Sequence, residues 1–81
     1  MTADEVAQKI EAGLKNCRAL VQSGDNVHFE AVVIAPDFAG KRPLQRHQLV
    51  YATLGSAVGN EIHALQLHVF TPEEYASQNR G

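Results

Sequence analysis

Two β-rich segments of this sequence are separated by a stretch with helical spacing, and that arrangement most limits the folds open to it. Residues 27–35 (VHFEAVVIA) and 60–70 (NEIHALQLHVF) are rich in strand formers. Between them Leu44, His47, Tyr51, Leu54 and Val58 recur at alternating spacings of three and four, after Pro43 and before Gly59-Asn60. That pattern predicts a helix, with proline tolerated in its first turn and Gly-Asn as its stop. A helix between two strands permits a crossover, so these two strands are expected to be parallel.

The flanks complete the order. Thr2 followed by Glu5 matches a capping box, and Val6, Ile10 and Leu14 repeat every fourth residue, predicting a helix that ends near residues 13–16. Residues 17–22 read as a short strand joined to the 27–35 strand by Ser23-Gly24-Asp25-Asn26, whose residues suit a tight turn. Thr71-Pro72-Glu73-Glu74 opens a last helix with a second capping box. The expected fold is α+β, in the order α-β-β-α-β-α. Its three-stranded mixed sheet would carry helices on one face, as a single domain over residues 1–81.

Composition narrows the function classes. Seven basic against nine acidic residues give a net charge of −2, which argues against a dedicated nucleic-acid binder. Cys17 is the only cysteine, so no internal disulfide or paired-cysteine metal site can form. The N-terminal segment carries acidic residues where a signal peptide needs basic ones, and no apolar run approaches the ~18 residues of a membrane span. A soluble, cytoplasmic protein is expected.

The histidines pose the chemical question. His28 opens the second strand and His63 the third, so parallel pairing would bring both to one end of the sheet. Neighbouring strands lie ~4.8 Å apart, near enough for side chains there to approach one ligand. Strand register decides whether they share a face. Either they are satisfied within the fold, or they are a partial metal site that a second molecule must complete. His68 falls on the more polar face of the third strand, and His47 lies on the helical stripe, where it is expected to pack inside.

The segments HFEAVVIAPDFAGKRPLQRHQLVYATLG and IHALQLHVFTPEEY resemble the BolA family. The resemblance rests on the His-Phe strand opening, the Phe-x-Gly-Lys turn, the Arg-His-x-x-Val-Tyr helix and the Ile-His-Ala-Leu strand followed by Thr-Pro-x-Glu. It implies a fold similar to class II KH domains, and partnership with a monothiol glutaredoxin through a shared, bridging 2Fe–2S cluster. The glutaredoxin cysteine and a glutathione thiolate would hold one side of that cluster, and His63 would ligate it from this chain. Imidazole ligation raises a cluster's reduction potential, and a ligand that protonates near pH ~6.5 would make the centre acid-labile.

Family members commonly place a second ligand, Cys or His, in the loop between the first two strands. Here that loop has neither, leaving Asp25 or His28 as candidates. The loop resembles a shorter bacterial branch linked to acid stress. Cys17 is expected to be a buried small residue outside the loop.

The alternative is a DNA-binding transcription regulator, since Lys41, Arg42 and Arg46 cluster at the start of the long helix. Against it, the Gly-x-x-Gly loop with which KH domains clamp nucleic acid is missing. No motif places a nucleophile beside a base, so an enzyme is not expected. The chain alone is expected to be a monomer or weak homodimer.

Overall fold

The middle strand organises the molecule. In a computed structural model, which describes residues 1–78, it is β2 (His28–Ile34). It pairs antiparallel with β1 (Arg18–Gln22) and parallel with β3 (Ala64–Phe70), so the sheet is mixed with order β1-β2-β3. The helices are α1 (Ala3–Gly13), α2 (Pro43–Leu54) and α3 (Pro72–Gln78). The expected order, the mixed sheet and the parallel pairing of β2 with β3 stand.

Alternation along the strands separates two faces. Ala19, Phe29, Ala31 and Val33 are buried, with Val21, Leu65, Leu67 and Val69 packed beside them, against Val6 and Ile10 of α1 and Val50 and Leu54 of α2. The other face carries Leu20, Gln22, His28, Glu30, Gln66 and His68. Helices on one face describes α1 and α2. α3 contributes no buried residue and sits at the end of β3, where Tyr75 meets the Phe70 ring at 5.9 Å.

α1 starts as expected. Thr2 Oγ1 accepts the Glu5 N–H at 3.2 Å, and Glu5 Oε1 accepts the Thr2 N–H at 2.8 Å, so each side chain satisfies a backbone donor that the helix leaves free.

α2 corrects the expected stripe. Leu44 is 70% exposed and Tyr51 38% exposed, while His47 is only half-buried. Leu54 and Val58 of that stripe do turn inward, and Leu49, Val50 and, past the helix end, Ala57 complete the inward face. The helix also stops earlier than residues 59–60. Gly55 takes a φ of +57° at the cap, and a single 3-10 turn over Gly55–Ala57 follows. Glycine enters that left-handed region without the Cβ clash other residues suffer.

Where α1 meets α2, Gly13 has no room for a side chain. A Cβ there would lie 2.5 Å from Thr53 Cγ2, and Thr53 is held by its hydroxyl donating to the Val50 carbonyl at 2.6 Å. Gly→Ala in a helix ordinarily stabilises. Gly13→Ala is expected to do the reverse, costing about 1–3 kcal/mol through overpacking, and a lowered urea midpoint would register it.

No helix among the described residues is long and apolar enough to cross a membrane.

Candidate functional site: a histidine pair at one end of the sheet

The turn between β1 and β2 is built by two side chains. Ser23 Oγ accepts the Asn26 N–H at 2.9 Å and donates to the His28 carbonyl at 2.5 Å. Asp25 Oδ1 accepts the N–H groups of Val27 at 3.0 Å and His28 at 2.9 Å. Short polar side chains that bond the backbone two or three residues ahead hold a turn closed. Asn26 takes a φ of +62° within it, a conformation asparagine tolerates better than most residues.

Asp25 also orients the histidine that follows. Its Oδ2 lies 2.7 Å from His28 Nδ1. Hydrogen bonds from the backbone N–H and ring of His28, then from Val27 N–H, hold the Asp25 carboxyl far below the usual carboxylate range. An ionised carboxylate only accepts, so Nδ1 carries the proton in this pair. Whenever the His28 ring is neutral, its lone pair therefore stands at Nε2. Carboxylate–imidazole pairs of this kind orient metal-binding histidines. Asp25, a candidate ligand by sequence, is thus engaged with the chain's own groups, and its visible work is to fix His28.

His63 reaches the same place from the other side. Val58 and Ile62 form an isolated bridge, Ile62 is fully buried, and the His63 N–H donates to the Val27 carbonyl at 2.8 Å. The residue stands immediately before β3, not within it as the sequence pattern suggests, and its side chain is exposed. His28 pairs in register with Ala64, which puts the two rings edge to face, 5.5 Å between centroids and 78° between planes. His28 is 60% exposed. Among the described residues the His63 ring has no side-chain hydrogen bond, and no three metal-binding side chains converge on one point.

The pair therefore offers two imidazoles to solvent at one corner, one with its tautomer fixed. Two imidazoles fit half of the four ligand positions on a 2Fe–2S cluster. The remaining positions must come from another molecule.

The other candidates fall elsewhere. His68 Nε2 lies 3.2 Å from Glu30 Oε2 on the open face, and Gln22 donates to Glu30 Oε1 at 3.2 Å. Cys17 is partly buried, and burial followed by the Glu11 charge pushes its thiol up to about 11, so at neutral pH it is a thiol and not a thiolate ligand.

The basic cluster is only partly available. Arg46, a candidate phosphate contact in the DNA-binding alternative, has a side chain only 12% exposed. It donates to both Glu74 carboxylate oxygens, at 2.7 and 3.1 Å, and to the Lys41 carbonyl at 2.9 Å, while its guanidinium carbon lies 5.9 Å from the Phe38 ring centre. Arg46 is a fastener between α2 and α3, and phosphate contact would require breaking that bidentate pair. Lys41 Nζ donates to the Asp37 carbonyl at 2.8 Å, and both Lys41 and Arg42 are exposed.

Sequence reasoning put Ser23 in the turn and Glu74 in a capping box, but missed the bonds of Ser23 across the turn and the pairing of Glu74 with Arg46. The Ser-x-Asp spacing was a usable signal for the first, but the partner of Glu74 lies 28 residues away. The bidentate Arg46 bond, then the Thr71 N–H, hold Glu74 down to about 2. Because the folded value lies below the unfolded one, this contribution to stability is complete above pH ~4.5 and fades as pH falls toward 2. Glu74→Gln is expected to melt below the wild type at pH 6, with the gap closing near pH 2 in a thermal series.

A three-helix α+β domain that displays a histidine pair at one end of a mixed sheet is the class of protein defined here. The chain belongs to the BolA-like family, whose model matches residues 4–74. It is 46% identical over 56 residues to a DNA-binding transcriptional regulator BolA from Haemophilus influenzae, covering 69% of this chain and 54% of that protein. Among solved structures, a BolA homologue from Coxiella burnetii superposes with a TM-score of 0.84 at 47% identity, covering 94% of this chain and 97% of that one. The BolA domain of SufE1 from Arabidopsis thaliana gives 0.77 at 26% identity, over 89% and 93%. The chain spans about half the length of the bacterial regulators it matches, 54%, 57% and 52% of the first three.

Proposed function

We propose that this chain is a non-enzymatic adaptor that presents His63, with His28 beside it, to a metal centre completed by a second protein. The partner is a monothiol glutaredoxin, and the shared group a 2Fe–2S cluster held on its other side by the glutaredoxin cysteine and glutathione. The supporting observation is the exposed edge-to-face pair at 5.5 Å, in which Asp25 leaves His28 Nε2 as the free nitrogen. Such a cluster supplies one-electron chemistry when bound. This chain's part is to position two imidazoles, keep the His28 proton on Nδ1 and leave the corner open to a partner.

Mixing the full chain with cluster-loaded monothiol glutaredoxin is the test. A heterocomplex on a sizing column, with a visible circular dichroism spectrum unlike that of the glutaredoxin alone, is the expected result. Absence of both would overturn the proposal.

A second reading, direct DNA binding, is favoured by the names of the bacterial relatives, which are DNA-binding transcriptional regulators. On this chain it would rely on Lys41 and Arg42, since Arg46 is bonded to Glu74. Few phosphate contacts give a shallow salt dependence. A mobility-shift titration across salt separates the readings: a regulator shows a preferred site that survives competitor DNA, and an adaptor shows only weak, salt-sensitive binding.

A further inference from the structure

β1 is an edge strand, and an edge offers unpaired N–H and C=O groups to any other extended chain. In an antiparallel ladder alternate residues aim these groups at the paired strand or away from it. The Ala19 N–H does not go to β2. It donates to Glu11 Oε2 at 2.9 Å, so Ala19 and Val21 face outward, and Arg18, Leu20 and Gln22 face β2. Glu11 lies in the last turn of α1, where the helix dipole disfavours a negative charge. Its position is poor for the helix and apt for the strand edge.

The edge is otherwise fit for pairing. A groove lined by Ala7, Leu20, Val21 and Val32 together with the polar Asp4 and Gln22 lies at this edge, and Leu20 is 40% exposed. A second copy of the chain would fit through a two-fold axis at Leu20. Ala19 would exchange hydrogen bonds with Val21 of the other copy, Arg18 would face Gln22, and Leu20 would meet Leu20. No like charges come opposite one another, and opposed aliphatic side chains stabilise a strand pair. Glu11 occupies the donor that such pairing needs, once in each copy.

We infer that Glu11 is a guard on a self-complementary β1 edge, and that removing its hydrogen-bond acceptor opens this edge to antiparallel pairing with a second copy of the chain. Sedimentation equilibrium on the full chain tests it. Glu11→Ala is expected to self-associate at least ~10-fold more tightly than the wild type. Glu11→Gln, which keeps an acceptor, should match the wild type. Adding Leu20→Lys to Glu11→Ala places two cations opposite each other at the axis and should restore the monomer. Glu11→Ala association within about twofold of wild type, or a dimer indifferent to Leu20→Lys, would overturn the inference. A monomeric Glu11→Ala that binds an added peptide of unrelated sequence would overturn the second copy as occupant.

The wild type supplies a measurement independent of any variant's folding. Its Ala19 amide should exchange with solvent deuterium at least ~10-fold more slowly than the outward Val21 amide. Equal rates would mean that Glu11 does not hold the edge.

Discussion

Phe38→Ala is expected to take away at least about a quarter of this protein's urea midpoint. Phe38 is fully buried, in the 3-10 turn Pro36–Phe38 that carries the chain from β2 to α2. Its ring joins the core on one side and lies beneath Arg46, 5.9 Å away, on the other. Truncating a core phenylalanine to alanine costs about 3–5 kcal/mol through lost burial and the cavity left behind. At roughly 0.05–0.15 kcal/mol per residue, a chain of this length holds on the order of 4–12 kcal/mol in total. The midpoint scales with stability at constant slope, so the loss falls directly on it. Leu44→Ala is the matched control: an exposed leucine outside such features should change stability by no more than about 0.5 kcal/mol. Parallel urea titrations followed by far-UV circular dichroism would check both, and equal midpoints would refute the assignment of the core.

That control bears on what could be read from the residues alone. The element order and the parallel pairing of β2 with β3 were legible, because the strand formers in residues 27–35 and 60–70, the helical spacing between them and the two capping boxes are local signals. The inward face of α2 was not. Leu44, Leu49, Val50, Tyr51 and Leu54 surround much of the helix, so two overlapping stripes, sharing Leu54, fit the pattern equally well. The stripe that packs ends in Ala57, beyond the glycine that turns the helix into a 3-10 turn, and its small residues carry little hydropathy signal. Only packing against α1 and the sheet decides between such stripes.

The site divides along the same line. Parallel pairing alone brings His28 and His63 to one end of the sheet, and that followed from the topology. The work of Asp25 did not, because an aspartate three residues from a histidine in a turn can equally be a ligand, a cap or an orienting base. Its bonds to two backbone N–H groups and to Nδ1 appear only once the turn is folded. The surroundings of Arg46 were hidden for a different reason: Glu74 and Phe38, which immobilise it, come from segments far apart in the chain. Long-range partners leave no local trace in a sequence.

His63→Ala should abolish the visible circular dichroism of the complex with cluster-loaded glutaredoxin while the far-UV spectrum of the chain alone stays as in the wild type. The second half follows from exposure: the ring is turned to solvent, and the position is held by the backbone bond to Val27 and the buried neighbour Ile62, none of which needs imidazole. The first half follows from the shortage of donors. With no third metal-binding side chain converging on this corner among the described residues, no neighbour replaces a lost ring. Asp25→Ala should act more gently. It leaves both imidazoles in place but frees the His28 ring and lets its proton move to Nε2, so binding should weaken by about 10-fold to 100-fold, as when an orienting partner is removed. His28→Ala ranks these roles, falling near His63→Ala if His28 is itself a ligand and near Asp25→Ala if it only shapes the corner. A His63→Ala protein that forms the complex with an unchanged spectrum would remove this corner from the proposed function altogether.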